Sequence, residues 1–227
     1  MEFDNVKLPP FETNELRKNL TTYLDTEFEG LKVGNYKFGC YAFFDYDKEP
    51  IYVGQTNEML RTRIRRHLTN QRTDAVAMSV LDPFEVYEIE VWPLTEYKDI
   101  KKKKNSIEYE KACEELNALE YRIFEQAIAK SKFNAILNEK DPPTPKVSIT
   151  IPNSFRKRIV SDEVYKIRKH PDFRIARRAL TLSRLAQVIS ERQVQAGLRR
   201  TLLTQAKRLK WLAERRYEHT KNGNEGP

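Results

Sequence analysis

A chain of 227 residues that is 39% hydrophobic can bury one or two cores. It carries no apolar stretch long enough to span a bilayer and no apolar signal core near its start, which predicts a cytoplasmic protein with no membrane partner. Two cysteines far apart, Cys40 and Cys113, exclude a disulfide framework and a zinc cluster of the CxxC kind, and they fit a reducing compartment. The net charge of +8 is uneven: residues 155–219 hold 18 Lys/Arg against 6 Asp/Glu, while residues 1–154 hold 22 against 26. A mildly acidic body with a basic C-terminal third points to a polyanionic partner, and DNA is the expected one.

Residues 1–36 read as an N-terminal helical segment. Pro9-Pro10 opens it, Thr13 serves as N-cap, and Leu16, Leu20, Tyr23 and Leu24 follow at helical spacing up to Phe28. Cys40 to Tyr46 and Ile51 to Val53 read as a β-hairpin with a polar turn between them. If Asp45 pairs with Pro50, Tyr41 and Tyr52 fall on one face, a diagonal step apart; a slip of one residue would separate them.

A helix from Asn57 to about Asn70 follows, with Leu60, Ile64 and Leu68 buried. Arg63 and His67 sit one turn apart at the edge of that stripe, and the remaining arginines, Arg65 and Arg66 among them, are placed to face solvent or a DNA backbone. Ala75 to Leu81 is an apolar segment of undecided type. Phe84 to Trp92 alternates as a strand with one wet face. Lys101 to Lys104 is a basic loop. The helix from Ile107 to Ser131 buries Leu116, Leu119, Ile123, Phe124 and Ala127, and Glu120 lies inside that stripe while Glu125 projects away. A carboxylate on a buried face needs a cation or a metal as partner. Asp141 to Pro145 forms a stiff linker, and Val147 to Ile151 is a short strand. From Ser154 the pattern is helical to His219, broken at Pro171 and Gly197.

Tyr41, Tyr52, Arg63, His67 and Glu120 therefore gather on a small sheet flanked by two helices. Hydrolysis of a phosphodiester needs a polarised phosphate, an activated water and a stabilised leaving oxygen. One carboxylate can hold Mg²⁺ together with waters. Arginine binds phosphate oxygens through paired N–H groups. Tyrosine or histidine can take a proton from the attacking water.

Gly39-Cys40-Tyr41, Tyr52-Val53-Gly54, the Arg63–His67 helix motif, Glu120 and Phe133-Asn134, in that order, resemble the motifs of the GIY-YIG nuclease superfamily. The resemblance covers Lys37 to Glu139. It implies a compact α/β (α+β) fold with a small, mixed three-stranded sheet between helices, and DNA hydrolysis with a single Mg²⁺ (or Mn²⁺). By position, Tyr52 would be the general base or would orient the water. Tyr41 would support the water or the phosphate, and Arg63 would bind the scissile phosphate. His67 would act in proton transfer or phosphate contact, Glu120 would hold the metal, and Gly39, Gly54 and Asn134 would support the site. Three departures are visible: Cys40 replaces a branched aliphatic residue, Arg63 lies one residue further from Tyr52, and Asn134 lies about two residues further from Glu120.

The expected organisation is an N-terminal helix (1–36), a nuclease domain (37–140), a Pro-rich linker with a short strand (141–153), a basic helical extension (154–219) and a disordered tail (220–227). The extension would supply DNA contacts through Arg177, Arg178, Arg199, Arg200, Arg208 and Arg215, or the surface of a homodimer. The expected function is a divalent-metal-dependent DNA endonuclease with a restriction, repair or mobile-element role. The alternative is a nucleic-acid-binding protein that keeps the fold and has lost cleavage.

Overall fold

The computed structural model describes residues 11–69, 80–100, 106–192, 194 and 196–221. Helix α1 (Phe11–Asp25) leads into a small hairpin, β1 (Glu27–Phe28) and β2 (Leu31–Lys32). Strands β3 (Gly39–Phe44) and β4 (Pro50–Thr56) precede helix α2 (Leu60–Leu68). Strand β5 (Glu88–Pro93) and the long helix α3 (Ile107–Lys130) follow. The chain then forms β6 (Phe155–Arg158) and helices α4 (Asp162–Arg168), α5 (Pro171–Glu191) and α6 (Ala196–Lys221).

The α/β class holds, but the main sheet has four strands in the order β4-β3-β5-β6 and all its pairings are antiparallel. Central strand β3 is buried at every position, which is why its sequence reads as a continuous apolar run. Tyr41 and Phe43 pack with Leu20, Leu24, Leu60 and Ile64 from α1 and α2 on one face. Cys40, Ala42 and Phe44 pack with Leu116, Leu119 and Ile123 of α3 on the other. Alternation along a strand sends these two sets apart.

The fourth strand is a correction. The expected strand at Val147–Ile151 does not form, and Phe155–Arg158, expected as helix, pairs with β5 instead. Local propensity is overruled by partners. Arg156 reaches Glu88 at 2.6 Å and Glu90 at 3.6 Å and lies over the Phe44 ring, while Phe155 packs on Tyr23 and Phe28. Its three basic residues suit an edge strand, since exposed charges resist further pairing. Phe11–Asp25 is helical, so Thr13 lies inside the helix and not at its cap. Ala75 to Ser79, Lys101 to Lys104 and residues 222–227 lie outside the described residues, and Thr220 and Lys221 continue α6.

The C-terminal helices dock on the turn of the β3–β4 hairpin through a buried charge cluster. Asp45 uses Oδ1 to accept from the backbone of Asp47 and Glu49, at 2.8 and 3.1 Å. Its Oδ2 accepts from Arg178 at 2.9 Å, Arg208 at 2.8 Å and Arg174 at 3.4 Å. Glu85 takes a further bond from Arg178 at 2.9 Å, and Asp47 one from Arg174 at 2.6 Å. Arg178 and Arg208, expected on a DNA-facing surface, are therefore buried structural ties. Arg177 pairs with Asp82.

Candidate active site

The hairpin turn is one residue tighter than the sequence suggests, and a bulge repairs the register. Asp45 N–H donates to Glu49, not Pro50, and Lys48 takes the left-handed conformation that closes the loop. The pairing shifts between Phe43 and Phe44 so that Ile51 is the extra residue. Beyond it Phe43 faces Tyr52 and Tyr41 faces Gly54. Tyr41 and Tyr52 thus share a face, with ring centroids 6.3 Å apart. Gly54 is required by this approach: a Cβ there would lie 2.5 Å from Tyr41 Oη. Gly39 has a similar reason, since a Cβ would sit 3.0 Å from the Trp92 carbonyl oxygen.

Helix α2 delivers His67 and Arg63 to that face. His67 is buried and its Nε2 lies 2.9 Å from Tyr41 Oη, while its ring centroid is 5.0 Å from that of Tyr52. Arg63 stands beside Tyr41. Burial opposes its charge, but Tyr41 and Tyr52 beside it leave the guanidinium more strongly basic than usual. Its Nε is buried with no hydrogen-bond partner. The other arginines of α2 serve packing: Arg61 pairs with Asp25 and Arg65 with Thr21 on α1, and Arg66 pairs with Glu58. Arg65 and Arg66 stay partly exposed while making these contacts.

Helix α3 brings Glu120 to the same place, and Glu125 is exposed on the far side. A cavity of about 500 Å³ is lined by Tyr52, Gly54, Gln55, Arg63, Glu120 and Asn138, with residues 139–143 beyond. Burial raises the Glu120 pKa to about 7, against the opposing pull of Arg63 and a hydrogen bond from Gln55. Gln55 also donates to Asn117 Oδ1 at 2.7 Å, one turn before Glu120. Its own Oε1 is buried without a partner. Gln55 went unnoticed in the sequence because nothing about a glutamine after Gly54 announces which helix it will meet.

The asparagine that meets the strand beside the site is Asn138, and Asn134 lies away from it. Asn134 is exposed, has φ of 50°, and forms part of the turn after α3. Asn138 is buried; its Oδ1 accepts from Val53 N–H at 3.1 Å and its Nδ2 donates to Val53 O at 2.7 Å. Strand β4 is at the sheet edge, so these backbone groups have no strand to pair with on that side. The Asn138 amide replaces one residue of a missing strand. Helix α6 backs this segment: Thr201 Oγ1 donates to Asn138 O, and Gly197 admits the Glu139 carbonyl, which a Cβ would meet at 1.7 Å. Gly197, expected as a break, lies inside the first turn of α6.

Among the described residues no three His, Cys, Asp or Glu side chains gather to hold a metal ion. The Glu120 carboxylate is an oxygen donor on the cavity wall with Arg63 and Tyr52 in the candidate site, and a single carboxylate suits a hard cation that keeps most of its waters. Of the expected DNA-binding arginines, Arg199, Arg200 and Arg215 are exposed, with Arg200 paired to Asp141 and Arg215 lying over Trp211. No helix among the described residues is long and apolar enough to cross a membrane.

Residues 37–126 match the family model of the GIY-YIG catalytic domain. This span includes Tyr41, Tyr52, Arg63, His67 and Glu120 and ends before Asn138. Comparison with curated proteins and with solved structures returned no significant match.

Proposed function

We propose, from the premise that residues 37–126 belong to the GIY-YIG nuclease superfamily, that this chain is a divalent-metal-dependent DNA endonuclease. The observation that supports this most is the meeting of Arg63, Glu120 and Tyr52 in one cavity, with the Tyr41–His67 hydrogen bond behind it. Restriction, repair and mobile-element roles are all compatible with this chemistry.

Each residue has a physical task. Arg63 lines the cavity, where its guanidinium can meet a phosphate oxygen. A guanidinium so placed binds the scissile phosphate and gains strength as negative charge builds on it. Glu120 would hold Mg²⁺ or Mn²⁺, with Gln55 fixing the carboxylate. When bound, that ion polarises a phosphate oxygen and offsets the buried negative charge.

Tyr52 opens on the cavity and is the group placed to orient the attacking water or take its proton. Tyr41 is fully buried, with Oη between His67 and Arg63. His67 Nε2 can exchange a proton with that hydroxyl, and Arg63 offsets the charge that results. Asn138 keeps the strand straight between Tyr52 and Gly54.

The test is incubation of supercoiled and linear DNA with the purified chain, with Mg²⁺ and with a chelator. Nicked or linear products in Mg²⁺ alone are expected. Intact DNA under both conditions, across several unrelated sequences and branched substrates, would count against the reading.

A further inference from the structure

A second cavity, of about 520 Å³, lies where the start of α5 meets the end of α6, beside the hairpin turn. Its lining includes Lys169, Arg174, Arg215 and Arg216 against the carboxylates of Asp47 and Glu218. Asp47 bonds to Arg174 at 2.6 Å and stands 3.6 Å from Arg215, and Asp172 pairs with Arg216. Lys169 is left beside the Tyr165 ring, and the Arg215 side chain is 59% exposed. Arg174 is buried and tied to Asp45 and Asp47, so the cationic groups open to this cavity are Lys169 and Arg215.

Helix α6 links this cavity to the catalytic one. Near its start Arg200 makes a two-pronged contact with Asp141, a residue of the catalytic cavity wall, at 2.7 and 2.6 Å. Near its end Arg215 lines the second cavity. Between them the Trp211 ring carries Lys132 Nζ at 3.9 Å and Arg215 Cζ at 4.7 Å from its centroid. At about 100° per residue these three α6 positions fall within roughly 60° of one another, on one helix face. Fifteen residues of helix span about 22 Å.

We propose that the second cavity binds a phosphate group, and that, on the nuclease reading above, this is a backbone phosphate of the DNA about 22 Å along α6 from the wall of the catalytic cavity. Lys169 and Arg215 supply the charge, and the α6 face with Trp211 lies between the two cavities, with Lys132 held there by Glu49 at 3.6 Å. The contact positions the duplex and carries no sequence information.

The test uses the full chain without divalent metal and a fluorescent 30-base-pair duplex. Affinity is measured across a salt series for the wild type, for Lys169→Ala/Arg215→Ala, and for Lys18→Ala/Lys111→Ala as a control pair of exposed lysines elsewhere. A parallel arm follows the melting temperature as inorganic phosphate replaces chloride at fixed ionic strength.

The proposal expects the cavity variant to bind DNA at least several-fold more weakly and to lose about one unit of slope in log K against log salt, with the control pair unchanged. If the slope is unchanged while phosphate raises the melting temperature of the wild type and not of the cavity variant, the cavity takes free phosphate and the backbone assignment falls. If neither arm distinguishes the variant, the cavity is not a phosphate site. A wild type that cuts DNA in Mg²⁺ but shows no slope difference overturns this proposal alone. A slope loss in a protein that never cuts supports the cavity and removes the nuclease reading.

Discussion

The carboxamide of Asn138 pairs with both backbone polar groups of Val53, the residue between Tyr52 and Gly54. The segment that carries Tyr52 and Gly54 is thereby held from outside the sheet by a residue 85 positions away in the chain. Asn138→Ala would leave a buried N–H and C=O unpaired, a loss of about 1–3 kcal/mol. Its cleavage rate should fall at least tenfold, whereas Asn134→Ala, at an exposed turn, should cut at a near wild-type rate. Chemical denaturation and single-turnover cleavage of both variants check this, and equal defects in the two would contradict it.

The two tyrosines should separate kinetically. Tyr52 lines the cavity, and Tyr41 is buried with its hydroxyl on His67. Tyr52→Phe removes the group placed at the water and should lower the single-turnover rate by about 10²–10⁴-fold with DNA affinity kept. Tyr41→Phe and His67→Ala break the same hydrogen bond. The double variant should then be no worse than the more damaged single one, within about 0.5 kcal/mol of activation free energy. Additive losses would show that the two residues act independently.

Asp45 is the keystone of the C-terminal docking. Its side chain is 2% exposed and its Oδ2 meets three arginines. Asp45→Ala leaves those guanidinium groups buried and short of an acceptor, and removing one partner of a buried pair costs about 3–5 kcal/mol. Denaturant unfolding should show that loss. A change below about 1 kcal/mol would mean the cluster is solvated in solution.

The metal-free protein should carry a stability penalty from Glu120 that depends on pH. Burial raises its folded pKa to about 7, above the unfolded value of about 4.3. The native state therefore keeps this proton where the unfolded state has lost it. Stability contributed by the site falls as pH rises from the unfolded value to about 7, and is level above that. Glu120→Gln should raise the melting temperature at pH 8 in chelator, and most of that gain should vanish by pH 5. A gain independent of pH would contradict the buried carboxylate.

Much of the site is legible in the chain because its pieces are local. Helical spacing brings Arg63 and His67 together and separates Glu120 from Glu125, and strand alternation joins Tyr41 to Tyr52. What could not be read depends on distant partners. Phe155–Arg158 has a charge-rich sequence that becomes a strand because Glu88 and Glu90 await Arg156. Arg178 and Arg208 read as surface cations because nothing nearby in sequence shows that Asp45 will be folded against them. The Phe133-Asn134 motif points to Asn134, while the asparagine that bonds the edge strand is Asn138. The bulge at Ile51 offsets the shorter turn, so the expected facing of the tyrosines survives although the expected partner of Asp45 does not.

The most direct measurement compares wild type with Glu120→Ala on the same labelled DNA, recording binding without metal and cleavage with Mg²⁺. The account predicts equal or tighter binding by the variant, because a negative charge has left the cavity, and a cleavage rate at least 10³-fold below wild type. Cleavage by Glu120→Ala at a wild-type rate in Mg²⁺ would contradict a site built on Glu120 and Arg63.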